Sequence, residues 1–177
     1  MTLNHTWTAH TTGLPPLADY RTLRVGLAPH QAGANLQAAS LIGAQLPAVN
    51  LRDADLSFAE LSGACLQQAD LRGACLFHAD LRAAQLCGAQ LLGADGREAE
   101  WSRADLRGAD LRAVDLRDTL LIEVNFQGAD LRGARLRGAI LIDANLDQAD
   151  LRGADLSETL LAGVSLQRTR LDGAAWN

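Results

Sequence analysis

From Leu36 onward a large apolar residue returns at every fifth position, with a small residue two places before it. Stepping by five from Leu36 to Trp176 visits 29 positions, of which 25 are leucine; the exceptions are Gly96, Trp101, Phe126 and Trp176. The accompanying column, Ala34 to Ala174, holds only alanine, valine (Val49, Val114, Val124, Val164) or threonine (Thr119, Thr159, Thr169). An α-helix cannot collect these leucines on one face, because five residues advance it about 140° beyond a full turn. A flat strand fails as well, since its period of two sends residues five apart to opposite sides. The backbone must therefore turn once per repeat, so that every leucine points back to a shared interior. The small column is a steric requirement, because a bulkier neighbour would overpack so narrow a core.

The other three positions of the repeat read as solvated surface. Aspartate most often precedes the leucine, as at Asp70, Asp110, Asp130 and Asp150, and arginine, serine or glutamine follows it. Glycine is frequent one place further on, where a tight corner requires positive φ.

Composition and charge narrow the classes open to this chain. Its net charge of −5 comes from acidic and basic residues that alternate, and aromatic residues make up only 4%. A nucleic-acid-binding surface with a basic excess and stacking rings is not expected. Charged or polar residues interrupt every apolar run, so no membrane span is expected, and the first thirty residues lack the basic and apolar regions of a secretory leader. These features predict a soluble, cytoplasmic protein. Cys65, Cys75 and Cys87 are odd in number and without CxxC spacing, so they read as reduced thiols. His5, His10, His30 and His78 are scattered, and neither a metal site nor a cofactor is expected. No nucleophile–base pair or phosphate-binding loop stands out from the repeat, which argues against an enzyme.

Units such as Ala69-Asp70-Leu71-Arg72-Gly73, Ala129-Asp130-Leu131-Arg132-Gly133 and Ala149-Asp150-Leu151-Arg152-Gly153 resemble the A-(D/N)-L-x-x consensus of the pentapeptide repeat family. The resemblance implies an all-β fold, a right-handed quadrilateral parallel β-helix with four pentapeptides per coil and residues twenty apart stacked. At a strand spacing of about 4.8 Å, about seven coils would make a rod roughly 35 Å long. On this reading residues 34–177 form the solenoid and residues 1–33 a non-repeat N-terminal segment. Leu17 to Leu27 are assigned to a cap that covers the open edge, and Met1 to His10 are expected to be disordered.

Departures from the repeat locate the candidate sites. Gly96 has no side chain to offer the core and Trp101, the next core position, has the largest. Either the indole fills the volume left at Gly96, or residues 95–98 bulge outward. Under twenty-residue stacking one face loses its polar coat, with Leu120, Ile140 and Leu160 before the core column and Ile122, Ile142 and Ala162 after it. Exposed apolar patches of this kind mark interaction sites, here for a homodimer or an unknown protein partner. Another face carries Arg52, Arg72, Arg112, Arg132 and Arg152 beside aspartates and reads as a neutral salt-bridge lattice. The repeat runs to the last residue, where either Trp176 plugs the core or another subunit covers it.

These features predict a non-enzymatic interaction scaffold. The resemblance also implies an alternative, because some pentapeptide repeat proteins mimic B-form DNA and bind DNA gyrase or another type II topoisomerase. Such mimicry needs dense negative charge. Here ten arginines follow core residues and cancel most of the aspartates, and only Phe126 places phenylalanine in the core column, where gyrase-protecting members tend to use it.

Overall fold

In a repeat such as Asp70 to Ala74 each backbone N–H finds a partner, and those partners define the coil. A computed structural model describes residues 32–176, and the unit Asp70 to Ala74 shows the scheme. Leu71 and Gly73 donate to the carbonyls of Gln90 and Leu92 in the next coil, at 2.7 and 3.1 Å, while Asp70 donates back to Val49 at 2.9 Å. Ala74 closes the corner by donating to the Leu71 carbonyl at 3.1 Å. The remaining N–H, that of Arg72, donates to the Asp70 carboxylate at 3.2 Å. A buried or edge-on N–H without a partner costs stability, so aspartate or asparagine before the leucine is structural before it is anything else.

The residue before each core position bridges in parallel to its counterpart twenty residues on, from Asn35 with Asp55 to Asp155 with Ala175. With a five-residue unit, each coil thus holds four pentapeptides, as expected. No helix occurs among the described residues. The proposed cap at Leu17 to Leu27 and the stretch Met1 to His10 lie outside the described residues, as do Asn177 and the remainder of residues 1–31.

One continuous core runs along the axis. From Leu51 to Leu156 every core position with a side chain is at most 3% exposed, and the small column is buried beside it up to Ala154. Thr119 keeps its hydroxyl satisfied there by donating to the Leu116 carbonyl at 2.7 Å. Every described corner residue, at five-residue intervals from Gly33 to Gly173, has positive φ, thirteen of them glycine and sixteen not. The corner therefore demands the left-handed conformation of every residue type placed in it. It holds even Phe58, at φ 59°, because stacked hydrogen bonds on both sides over-determine the backbone.

The coil passes through Gly96 in register, with its N–H 2.8 Å from the Asp115 carbonyl and its own carbonyl receiving Ala99 at 3.3 Å. A Cβ built on Gly96 would lie 3.1 Å from Trp101 Cζ2 and 3.0 Å from Leu116 Cδ2. The indole is fully buried and lies against the space a side chain at 96 would need. Burial fades over the last coil. Leu156 is 3% exposed, Leu166 39% and Trp176 46%, because no further coil lies over them.

Candidate interaction face

The coil closes at twenty residues, so Leu120, Ile140 and Leu160 stack in one column, and Ile122, Ile142 and Ala162 in a second beside it. Residues two apart on an extended chain point to the same side, which makes the two columns a single strip. All six sequence-identified residues are thus brought together. The strip also contains the two segments long enough to count as strands, β1 (Ile140–Ile142) and β2 (Leu160–Ala162), paired in parallel with Ile140 on Leu160 and Ile142 on Ala162. Isoleucine on both sides of Leu141 favours extended backbone, and the corners after β1 and β2 are bends in place of the usual hydrogen-bonded turns.

Stacking half-buries Ile122, Ile140 and Ile142 against one another, whereas Leu160 remains 53% exposed. The result is a flat aliphatic ridge on a rod whose surface is mainly polar, with Ile42, Phe58 and Leu92 among its other exposed apolar side chains. The corner columns along its edges are acidic, with Asp118 and Glu158 on one side and Glu123 and Asp143 on the other. Gly163 illustrates the tightness of these corners: at φ +66° it leaves room for the Asp143 carboxylate, which occupies the space a Cβ would fill.

The arginine face resolves differently from a lattice between columns. Arginine and aspartate two places apart project from the same side, so each guanidinium folds back on the carboxylate of its own repeat. Arg112 Nε and Nη2 both donate to Asp110 at 2.7 Å, and Arg132 contacts Asp130 at 2.8 and 2.6 Å in the same way. Six more such forks join Asp70, Asp80, Asp95, Asp105, Asp115 and Asp150 to Arg72, Arg82, Arg97, Arg107, Arg117 and Arg152. Contacts between coils are fewer, such as Arg135 with Asp115 at 3.2 Å.

The Arg112 guanidinium holds the Asp110 carboxyl below its ordinary value of 3.8, and the same cause acts at Asp70, Asp130 and Asp150. A carboxyl depressed in the folded state adds stability above its unfolded value, and that contribution is lost as pH falls through the folded value. Asp110→Asn keeps the oxygen that accepts the Arg112 N–H and should cost under about 0.5 kcal/mol, as expected for an exposed pair. Asp110→Ala also orphans that N–H and should cost about 1 kcal/mol at neutral pH. Urea denaturation should show the asparagine variant converging with the parent in acid while the alanine variant stays below both.

One cluster escaped the sequence reading. Phe58 and His78, twenty apart in a corner column, stack at 5.2 Å, and Phe77 meets His78 edge-on at 4.3 Å. Arg97 lies 5.6 Å over the Phe77 ring, and His78 Nε2 is 3.2 Å from Glu98, a carboxylate partner that only the stacking supplies. The signal was present in the twenty-residue spacing of Phe58, His78 and Glu98. The three cysteines are free, and burial raises the Cys87 thiol. Among the described residues no group of three or more histidine, cysteine or acidic side chains is placed to hold a metal, and no helix is long and apolar enough to cross a membrane.

A family model described as pentapeptide repeats matches the chain in 8 copies, over residues 34–73, 74–112, 102–138 and 139–174. No curated protein matches the sequence. Among solved structures, a trypsin-treated form of QnrB1, a plasmid-mediated fluoroquinolone resistance protein, is similar with a TM-score of 0.57 and 23% identity, covering 83% of this chain and 78% of that one. A second trypsin-treated form gives a TM-score of 0.54 at 19% identity, over 78% and 87% of the two chains. HetL from Nostoc sp. strain PCC 7120, involved in heterocyst differentiation regulation, is 31% identical over 80% of this chain and 89% of its own, with a TM-score of 0.29.

Proposed function

The chain belongs to the pentapeptide repeat family, whose members fold into right-handed β-helices and are generally non-enzymatic scaffolds, and from that premise we propose that it is a rigid interaction scaffold that docks a protein through its apolar strip. One observation carries the reading: six aliphatic side chains gather in two adjacent stacked columns on one face, whereas the other faces carry mainly paired charges and amides. Burying such a strip against a partner releases water from apolar surface at roughly 25 cal/mol per Å². The β-helix beneath it is already ordered, so docking costs little conformational entropy. The occupant is either a second copy or another protein.

A photo-crosslinking residue placed at position 162 should form a discrete protein adduct in cells. In the Ile140→Lys, Ile142→Lys variant the adduct should fall at least tenfold, because truncating central apolar anchors removes most of the binding energy. The variant should fold normally, since both positions face outward between neighbouring columns. A crosslinker at Gln127, on the amide-rich face, is the control; equal adducts from both faces would remove the strip from consideration.

Mimicry of DNA toward a type II topoisomerase is the weaker reading. It would need a continuous run of unpaired carboxylates, and the eight in-repeat forks neutralise the aspartates on the faces that would have to supply it.

A further inference from the structure

Both edges of the strip carry the same sign of charge, and this constrains what can lie on it. Asp118 and Glu158 flank it on one side, Glu123 and Asp143 on the other. Arg103 neutralises Glu123 at 3.0 Å and Arg137 neutralises Glu158 at 2.7 Å, while Asp118 and Asp143 are exposed and have no ion pair among the described residues. Two exposed carboxylates, one on each side, therefore remain without an ion pair, although Arg117 and Arg137 lie near enough to Asp118 to feel its charge.

A second copy of this chain would fit badly. A two-fold axis along the rod sets one acidic edge against the other acidic edge, and a two-fold axis across the rod sets each edge against its own kind. Every face-to-face dimer through this strip thus brings carboxylates together, and like charges at the rim of an interface disfavour that partner. The dimensions favour something narrow. Three stacked coils at about 4.8 Å, with their side chains, give a strip about 15 Å long. Two columns about 7 Å apart make it one helix wide. A helix rising 1.5 Å per residue covers that length in about ten residues.

We infer that the strip receives an amphipathic helix of another protein, with an aliphatic stripe bordered on both flanks by lysine or arginine, and not a second copy of this chain. This rests on the interaction-scaffold reading above and names the partner's chemistry. The stripe lies on Ile122, Ile140, Ile142 and Leu160, and the flanking cations meet Asp118 and Asp143.

Two synthetic helical peptides test it, sharing one leucine stripe and differing only in lysine or glutamate on both flanks. Fluorescence anisotropy is measured at physiological salt against the parent, Asp118→Asn with Asp143→Asn, Asp118→Lys with Asp143→Lys, and Ile140→Lys with Ile142→Lys. The parent should bind the lysine peptide about tenfold more tightly than the glutamate peptide, a size in keeping with a few rim charge pairs. That preference should shrink toward parity in the asparagine variant, whose residues suit the positive-φ corners, and reverse in the lysine variant. Equal affinities in the parent would overturn the inference, as would a lysine preference that persists after charge reversal. So would sedimentation of the parent as a dimer that Ile140→Lys with Ile142→Lys converts to monomer. In each of those cases the scaffold reading survives. That reading fails separately if the Ile140→Lys, Ile142→Lys variant binds both peptides as the parent does.

Discussion

Replacing Trp101 with alanine is expected to destabilise the middle of the rod by about 3–5 kcal/mol, as for other buried large aromatics. The indole is fully buried and, like the Leu116 side chain, lies against the space a side chain at Gly96 would need. Trp101 occupies position 101 and, with Leu116 Cδ2, closes the space a side chain at 96 would need, so removing the ring opens the coil at both positions. Its Nε1 is buried without a hydrogen-bond partner, so packing alone holds it. Circular dichroism during urea denaturation should show the loss, and a change below about 1 kcal/mol would mean the ring is not what fills the coil.

The same geometry predicts coupling of a definite sign. Gly96→Leu alone overpacks against Trp101 Cζ2 and Leu116 Cδ2 and should cost about 1–3 kcal/mol. Trp101→Leu alone leaves a cavity. Together they restore the leucine repeat at both positions, so the double variant should be more stable than the sum of the singles by at least about 0.5 kcal/mol. An additive cycle would show that 96 and 101 do not share a volume.

Deletions should reveal a five-residue quantum with an even larger effect. Removing residues 64–68 deletes one whole pentapeptide, and the chain on either side can rejoin with every leucine still inward and every corner intact. Removing residues 64–67 instead leaves the coils on the N-terminal side one residue out of phase. A slip of one residue turns core side chains outward against the following coil, so Leu51 and Leu56, which donate to Asp70 and Cys75 across the deletion, meet no equivalent carbonyl in phase. Because each coil contacts only its neighbours, the damage should spread to the N-terminal side and stop there. Hydrogen exchange should find residues 69–156 protected in both deletions, and residues 36–60 protected only in the five-residue deletion. Protection of 36–60 in both would break the link between phase and burial.

Much of the fold was legible because burial is decided residue by residue. A leucine every fifth place, with alanine two places before it, can be sheltered only by a chain that turns once per repeat, and Leu71, Leu111 and Leu151 are all fully buried. Gly96 and Trp101 were legible as a pair because one lacks what the other has in excess. The strip at Ile122, Ile140 and Ile142 was legible once residues twenty apart were stacked, and the observed bridges have that register.

The forks are less legible than the columns. Asp110 and Arg112 belong to two ladders running along the rod, yet alternation on an extended segment puts residues two apart on one side, where they meet first. The corner conformation was only half legible. Glycine marked thirteen corners, but Phe58, His78 and Asp118 adopt the same positive φ under constraints from the coils above and below.

By itself the amino-acid sequence determined what is inside, because a period of five leaves leucine no other refuge from water. Only the tertiary structure decided what lies beside what on the outside. Closure of the coil at twenty residues sets Glu98 against His78 and Phe58 on His78. It also runs Asp118 and Asp143 along opposite edges of one aliphatic strip. Such neighbours are far apart in the chain, and the distance between them depends on how many repeats complete a turn, a quantity no single repeat contains.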